Sequence, residues 1–418
     1  MPQVEIVGFH LNGTGLGEFE GKEARVWNAI PGELVDFKVA RKQQDYISGV
    51  AHNIVKTSPH RISPPEMHFL SCSPWQILCY EMELCWKKKN TQELFGHEKD
   101  IDIYTLGKRQ YNYRNKMEYS FTEFDGDISL AFFKREGREK ISIFGCELAH
   151  PCINEAAQRV LDWINLKKIP LRSLKSLIIR SDGESRAIAG LFIKDKLLFA
   201  DYPELCQKFV GFSLYYSTHK SPASVPTELL YSKGENTLLV WLNDVKFTYD
   251  LFSFFQVNVP VFHEVLKDIG NFLDGENKVL DFYSGVGAIS LSLADRFKQA
   301  ILVDNHSESI AGAQANIKDN GLSSCQAKEF PAEKITELIE ADDVVIFDPP
   351  RTGLHRKVIE RVLQERPKRI IYLSCNVVTQ AEGIKLLEGV YKTVFHRLYN
   401  FFPRTPHIES LCVLDRSA

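Results

Sequence analysis

The chain has 418 residues, 44% of them hydrophobic and 25% charged, with a net charge of −3. That length exceeds one ordinary core and predicts two or three domains of a soluble globular protein. The near-neutral charge excludes a general electrostatic attraction for nucleic acid, so any such contact must come from local patches.

In chain order, residues 4 to 57 read as short strands (VEIVGF, EARVW, GELVDFKVARK, YISGVAHNIV) separated by glycine-containing turns, which fits a small closed barrel of OB type. The segment SPHRISPP (58–65) has three prolines and continues neither a sheet nor a helix, so it reads as a linker. CYEMELCWKKKNTQELFG (79–96) has helical spacing, with Gly96 placed to end it. From about 107 to 250 the chain is strand-rich and mixed, with YSFTEF, ISLAFFK, SLIIRSD, AIAGLFI and TLLVWL as its apolar runs. Beyond about 260 the texture changes to apolar strand, turn and helix, repeated, which is the pattern of a doubly wound parallel sheet. No stretch holds the run of about 18 apolar residues that a membrane span needs, and the N-terminus does not read as a secretion signal. The nine scattered cysteines read as thiols of a cytoplasmic protein rather than as a disulfide framework.

In VLDFYSGVGAIS (279–290) a buried strand is expected to run through Gly285-Val286-Gly287 into a helix, with the glycines letting backbone approach a ligand. Asp281 precedes the turn, and Asp304 closes the next strand about twenty residues on, where an acid accepts hydrogen bonds from ribose hydroxyls. This spacing suits a nicotinamide dinucleotide or S-adenosylmethionine. Ser290 stands where the third glycine of a dinucleotide fingerprint is expected, which favours the methyl donor. Asp348, in VVIFDPPRTGL, closes a later strand at the same lip.

Cys375, in IIYLSCNVVTQ, ends an apolar strand just before a helix, so its thiol is expected to face the cleft with its pKa lowered by the helix N-terminus. The alternative, a small buried hydrophobe, is the usual fate of a free cysteine.

These motifs together resemble the family of RNA uracil-5 methyltransferases that modify ribosomal and transfer RNA. The matching pieces are LNGTGLG with IPGELV, which resemble a TRAM barrel, then SPHRISPP, YRNKMEYSF, FFQVN, LDFYSGVG, FDPPRTGL, LSCN and FFPRTPHIES, in the family's order. The resemblance implies that Cys375 is the nucleophile and Glu409 the base. It implies that Gln256, Tyr283, Gly285 and Asp304 hold S-adenosylmethionine, and that Asp348 lies between cofactor and target base. Phe401, Phe402, Ile408 and Leu411 flank Glu409 and argue against its being a solvated surface acid. In YRNKMEYSF, Arg114 and Lys116 alternate with Tyr113 and Tyr119, a mixture suited to phosphate contact and base stacking.

Many members of that family carry a four-cysteine [4Fe-4S] cluster. Here the matching stretch PPEMHFLSCSPWQ (64–76) keeps only Cys72, and Cys146 matches the fourth position. Two thiolates cannot hold such a cluster, so none is expected, no metal ligand is assigned, and residues 72–90 are expected to be held by packing of Trp75, Tyr80 and Trp86.

The expected architecture is therefore α/β: a TRAM-like OB barrel that binds RNA (1–57), a mixed α+β central domain (66–250) and a Rossmann-like class I methyltransferase domain (251–418). The implied substrate is RNA, with ribosomal RNA favoured over transfer RNA, and no membrane or obligate protein partner is expected. The alternatives are a transfer RNA enzyme, methylation of another acceptor, and a non-catalytic RNA-binding protein on the same fold.

Overall fold

A computed structural model of the chain describes residues 2–96, 100–330 and 338–417. It divides into two compact units: residues 1–90, 110–236 and 402–406 form one, and 91–109, 237–401 and 407–418 the other. These units cut across the three stretches expected along the sequence. TLLVWL, for instance, joins the C-terminal unit as the strand Thr237–Leu242, paired with Val245–Asp250.

The first unit begins with a six-stranded sheet curled into an OB-type barrel. Its order is Gln3–Glu5, Leu34–Lys42, Tyr46–Lys56, Lys22–Trp27, Gly15–Phe19 and Gly8–Phe9. Alternate residues, among them Val4, Val26, Val35, Phe37 and Ile47, close its core. The proline-rich segment that follows is not a free linker. Arg61 donates through Nε and Nη2 to the fully buried Glu33 carboxylate at 2.6 and 2.9 Å, and so fastens the segment to the barrel. Trp75, Ile77 and Leu78 then bury themselves with Phe9 and Ile30, and Tyr80–Phe95 forms the expected helix.

The rest of this unit is a seven-stranded sheet in the order Lys140–Ile143, Asp127–Phe133, Lys116–Phe124, Leu174–Ser181, Ala187–Ile193, Phe209–Tyr216 and Glu228–Gly234. The helix Pro151–Leu166 packs on it. Its buried Ile153, Ala156, Ala157, Val160 and Ile164 recur at three- and four-residue spacing, the stripe a helix lays on a core.

In the second unit an eight-stranded sheet runs Cys325–Glu329, Gln299–Asp304, Lys278–Phe282, Val344–Phe347, Arg369–Ser374, Glu409–Arg416, Tyr391–Tyr399 and Asp102–Tyr104. The first five strands are parallel, and Glu409–Arg416 returns antiparallel against Arg369–Ser374. The chain builds outward from Lys278–Phe282 in one direction, then restarts on its other side at Val344–Phe347. That reversal opens a crevice at the carboxyl ends of the strands, where ligands bind in such sheets. Among the described residues no helix is long and apolar enough to cross a membrane.

Candidate active site

The crevice is lined by Gln256, Tyr283, Ser284, Gly285, Val286 and Asp348, among others. After the strand Lys278–Phe282 the backbone turns through left-handed conformations at Tyr283 (φ 62°), Gly285 (φ 55°) and Gly287 (φ 87°). The two glycines serve different ends. A Cβ on Gly287 would meet Leu291 and Leu302 at 2.7 Å, whereas a Cβ on Gly285 would meet nothing within 4 Å. Gly287 thus closes the packing, and Gly285 leaves backbone open towards the crevice.

The expected α-helix after this turn does not form. The chain makes successive turns and a single 3-10 turn at Leu291–Leu293. Local hydrogen bonds of the serines compete with the helical ladder. The buried Asp281 carboxylate takes the Ser290 N–H at 3.3 Å and its hydroxyl at 2.6 Å, and the Ser292 hydroxyl donates to the Ala288 carbonyl. Burial of Asp281 pushes its carboxyl up to about 7, with the Ser290 hydrogen bonds opposing the rise.

Asp304 closes the strand Gln299–Asp304 and holds the loops around it. One carboxylate oxygen accepts the Gly285 N–H and the other the His306 N–H, each at 2.9 Å. Gln256 extends its amide to within 3.4 Å of Asp348. Asp348 sits just past the strand Val344–Phe347, and burial, with the charge of Asp281 behind it, raises its carboxyl to about 7.

Cys375 follows the strand Arg369–Ser374, and Glu409 opens the strand Glu409–Arg416. Ser374 is paired with Ser410, so Cys375 and Glu409 directly flank the last pair of that ladder. Glu409 is 6% exposed, and burial holds its carboxyl well above the usual range, with Asp348 reinforcing the shift and Arg351 opposing it. Cys375 is half-buried. Its thiol is raised to about 11, first by burial and then by Glu409 and Asp348, while Arg351 lowers it through charge and a hydrogen bond. The helix N-terminus therefore does not depress this thiol as expected from the sequence; desolvation and two acids outweigh it.

Two residues of the constellation escaped the sequence reading. Arg351, directly after Asp348-Pro349-Pro350, supplies the positive charge that faces Cys375 and Glu409. Asn376 fixes the thiol's backbone: its side chain caps the helix Val377–Leu387 by accepting the Val378 N–H at 3.1 Å, and it donates to the Arg351 carbonyl at 2.7 Å. The motif LSCN could have signalled the cap, since an asparagine before an apolar helix is a common N-cap.

Arg114 and Lys116 lie in the other unit, both half-buried, with Lys116 opening the strand Lys116–Phe124. Their neighbours do not form a stacking surface. Tyr119 is fully buried and stacks on Phe132, and Tyr113 is buried with its hydroxyl donating to the Pro403 carbonyl. The alternation of charge and aromatic marks a strand with one face in the core.

A profile of the tRNA (Uracil-5-)-methyltransferase family matches residues 233–417, the stretch that carries this whole constellation. An uncharacterized RNA methyltransferase of Caldanaerobacter subterraneus subsp. tengcongensis is 28% identical, over 99% of this chain and 98% of that protein. One from Halalkalibacterium halodurans is also 28% identical, over 97% of this chain and 94% of that protein. The solved structure of the Pyrococcus abyssi tRNA (uracil-54, C5)-methyltransferase in complex with S-adenosyl-L-homocysteine shares the fold, with a TM-score of 0.80 over 99% of this chain and 100% of that one, at 23% identity. With the strand-end residues in place, residues 233–417 match the tRNA (uracil-5-)-methyltransferase family, and the chain as a whole is similar, nearly end to end, to RNA methyltransferases.

Proposed function

We propose that the protein methylates carbon 5 of a uracil in RNA through a covalent bond between Cys375 and carbon 6, with Glu409 as the base. The observation that supports this reading is that Cys375 and Glu409, which flank the Ser374–Ser410 pair, act on one another electrostatically together with Asp348 and Arg351. Carbon 5 of uracil is too weak a nucleophile to take a methyl group unaided. The Cys375 thiol, its proton lost to solvent, adds its electron pair to carbon 6, and the charge moves through carbon 5 onto the carbonyl. S-adenosylmethionine supplies the methyl group, which bonds to carbon 5 as S-adenosylhomocysteine departs. Glu409 then takes the carbon 5 proton, and the pair left behind restores the double bond and expels the thiolate. The target base must be unpaired or flipped for carbon 6 to reach the thiol.

The crevice residues fit the methyl donor. The Gly285 backbone is open, and Asp304 presents a carboxylate, 8% exposed, at the strand end where a ribose is bound in such folds. Gln256 and Tyr283 line the same space beside Asp348.

Ribosomal RNA is the proposed substrate class. The N-terminal barrel, read as a TRAM-like RNA-binding domain over 1–57, supports it, with Arg114 and Lys116 of the central domain (66–250) as phosphate contacts and 251–418 as the catalytic domain. Transfer RNA is the second reading, favoured by the name of the matching family profile. Incubation with 5-fluorouridine RNA tests the chemistry: a denaturation-resistant protein–RNA complex is expected, absent in Cys375→Ala. Mapping 5-methyluridine in ribosomal and transfer RNA from cells lacking the protein decides the substrate. Loss from transfer RNA alone would overturn the ribosomal assignment.

A further inference from the structure

We propose that Glu66, His68, Cys72 and Cys146 form a mononuclear zinc site, distinct from the catalytic crevice and from any iron–sulfur cluster. One donor atom from each of the four lies within 4.8 Å of all the others. Ligands about 2.0–2.3 Å from a single tetrahedral ion stand about 3.3–3.8 Å apart, so inward shifts of about an ångström or less, within reach of side-chain rotation, close the shell. A four-iron cubane fails on both counts: it requires four thiolates where two exist, and its four irons and four sulfides do not fit between donors this close. Two thiolates, an imidazole and a carboxylate are a zinc donor set, and four protein ligands leave no open position, which marks a structural rather than a catalytic ion.

The donors come from two places in the fold. Glu66 and His68 precede the short helix Phe69–Cys72, and Cys146 lies in the loop between the strand Lys140–Ile143 and the helix Pro151–Leu166. The His68 and Glu66 side chains are 9% and 8% exposed, and Cys146 is 2% exposed. His68 Nε2 is 3.0 Å from a Glu66 oxygen, yet this buried nitrogen completes no hydrogen bond of acceptable geometry. A cation between this nitrogen and the carboxylate would give both a partner.

The donors are also held from behind, as metal ligands are. Glu66 accepts the Glu147 N–H on one oxygen and the Gln76 amide on the other, each at 2.6 Å. The same amide donates to the Ser73 hydroxyl at 2.6 Å, and that hydroxyl lies 3.1 Å from the Cys72 sulfur. Asn154 clamps the Cys146 backbone through both its N–H and its carbonyl, each at 3.1 Å. A zinc ion with two thiolates, one carboxylate and a neutral imidazole carries a net charge of −1, and Arg114 and Arg135 stand near enough to Cys72 to act on it electrostatically. In the sequence, Cys72 and Cys146 alone are too few to mark a metal site. Glu66 and His68 become donors only through the fold.

The test is metal analysis of the full-length protein purified under reducing conditions. About one zinc per chain is expected. Replacement by cobalt(II) should give thiolate-to-cobalt charge-transfer bands and the intense visible absorption of a tetrahedral site. Gln76→Leu, which touches no ion, should weaken zinc about 10–100-fold, as loss of a residue behind a ligand does, and His68→Ala should abolish stoichiometric binding. If either variant fails to fold, competition of the unaltered protein against a chromogenic chelator still measures the affinity. Iron with equimolar labile sulfide, a Cys72–Cys146 disulfide in the reduced preparation, or protein free of metal after purification with added zinc would each overturn the proposal.

Discussion

Cys375 directly follows Ser374 and Glu409 directly precedes Ser410, the two partners that end the ladder between Arg369–Ser374 and Glu409–Arg416, and the Glu409 charge acts on the Cys375 thiol. If Glu409 removes the carbon 5 proton, Glu409→Gln should still permit addition and methyl transfer but not release. Turnover is expected to fall about 10²–10⁴-fold, while a denaturation-resistant protein–RNA complex accumulates. Cys375→Ala should show neither turnover nor complex. Gel electrophoresis of the reaction with radiolabelled RNA reads both, and wild-type turnover in Cys375→Ser would sink the covalent route.

The electrostatics of the free protein set a second expectation. With its pKa at about 11, roughly one Cys375 thiol in 10⁴ is ionised at pH 7. Alkylation by iodoacetamide, followed at the Cys375 peptide by mass spectrometry, should quicken about tenfold per pH unit from 7 to 9 without a plateau. Arg351→Ala should slow it, because Arg351 lowers this pKa, and Glu409→Gln should quicken it, because the Glu409 charge raises it. A plateau near pH 7 would contradict the burial argument.

Much of this site was legible because parallel strands end where ligands bind. Asp304, Asp348 and Cys375 each follow an apolar run, and each sits at that lip. Arg351 and Asn376 were harder to see, since their roles rest on hydrogen bonds between two loops that only the sheet brings together. Tyr113 and Tyr119 misled for a related reason: alternation shows that a strand has two faces, not which of them is covered. The helix expected after Gly287 failed because the pull of Asp281 on Ser290 is invisible in residue spacing. Nor does linear order reveal that residues 91–109 count with the C-terminal unit and 402–406 with the N-terminal one.

The two glycines of the cofactor turn should separate stability from binding. Gly287→Ala forces a Cβ to 2.7 Å from Leu291 and Leu302 at a positive φ, and a cost of about 1–3 kcal/mol is expected from overpacking. Gly285→Ala meets no neighbour, so its stability loss should stay near the 1 kcal/mol or so of a left-handed alanine. Its methyl group would occupy the space read here as the cofactor's. Thermal unfolding should rank Gly287→Ala as the less stable, and titration with S-adenosylhomocysteine should rank Gly285→Ala as the weaker binder relative to its folded fraction. Equal effects in both assays would remove the distinction.

In the N-terminal unit Glu83, Lys87 and Arg404 form a fully buried charge triad, each side chain at 0% exposure. Glu83 accepts the Lys87 ammonium at 2.8 Å, the Arg404 guanidinium at 3.3 Å and the Arg404 backbone N–H at 3.1 and 3.0 Å. Arg404 also donates to the Leu78 carbonyl at 2.6 Å, and Lys87 to the Phe402 carbonyl at 3.1 Å. Glu83 thus faces two cations, and burial already pulls the Lys87 pKa down against the attraction of Glu83. Glu83→Gln keeps the shape but leaves two buried cations facing an amide. Removal of the anion from a buried ion pair costs about 3–5 kcal/mol, so a large fall in unfolding temperature is expected. Lys87→Met should cost much less, because the Glu83–Arg404 pair survives and the methionine refills the space, with the Phe402 carbonyl left short of one donor at about 1–3 kcal/mol. Differential scanning calorimetry of the two variants measures the contrast. Were Glu83→Gln as stable as the unaltered protein, the triad would contribute nothing to holding residues 402–406 in place.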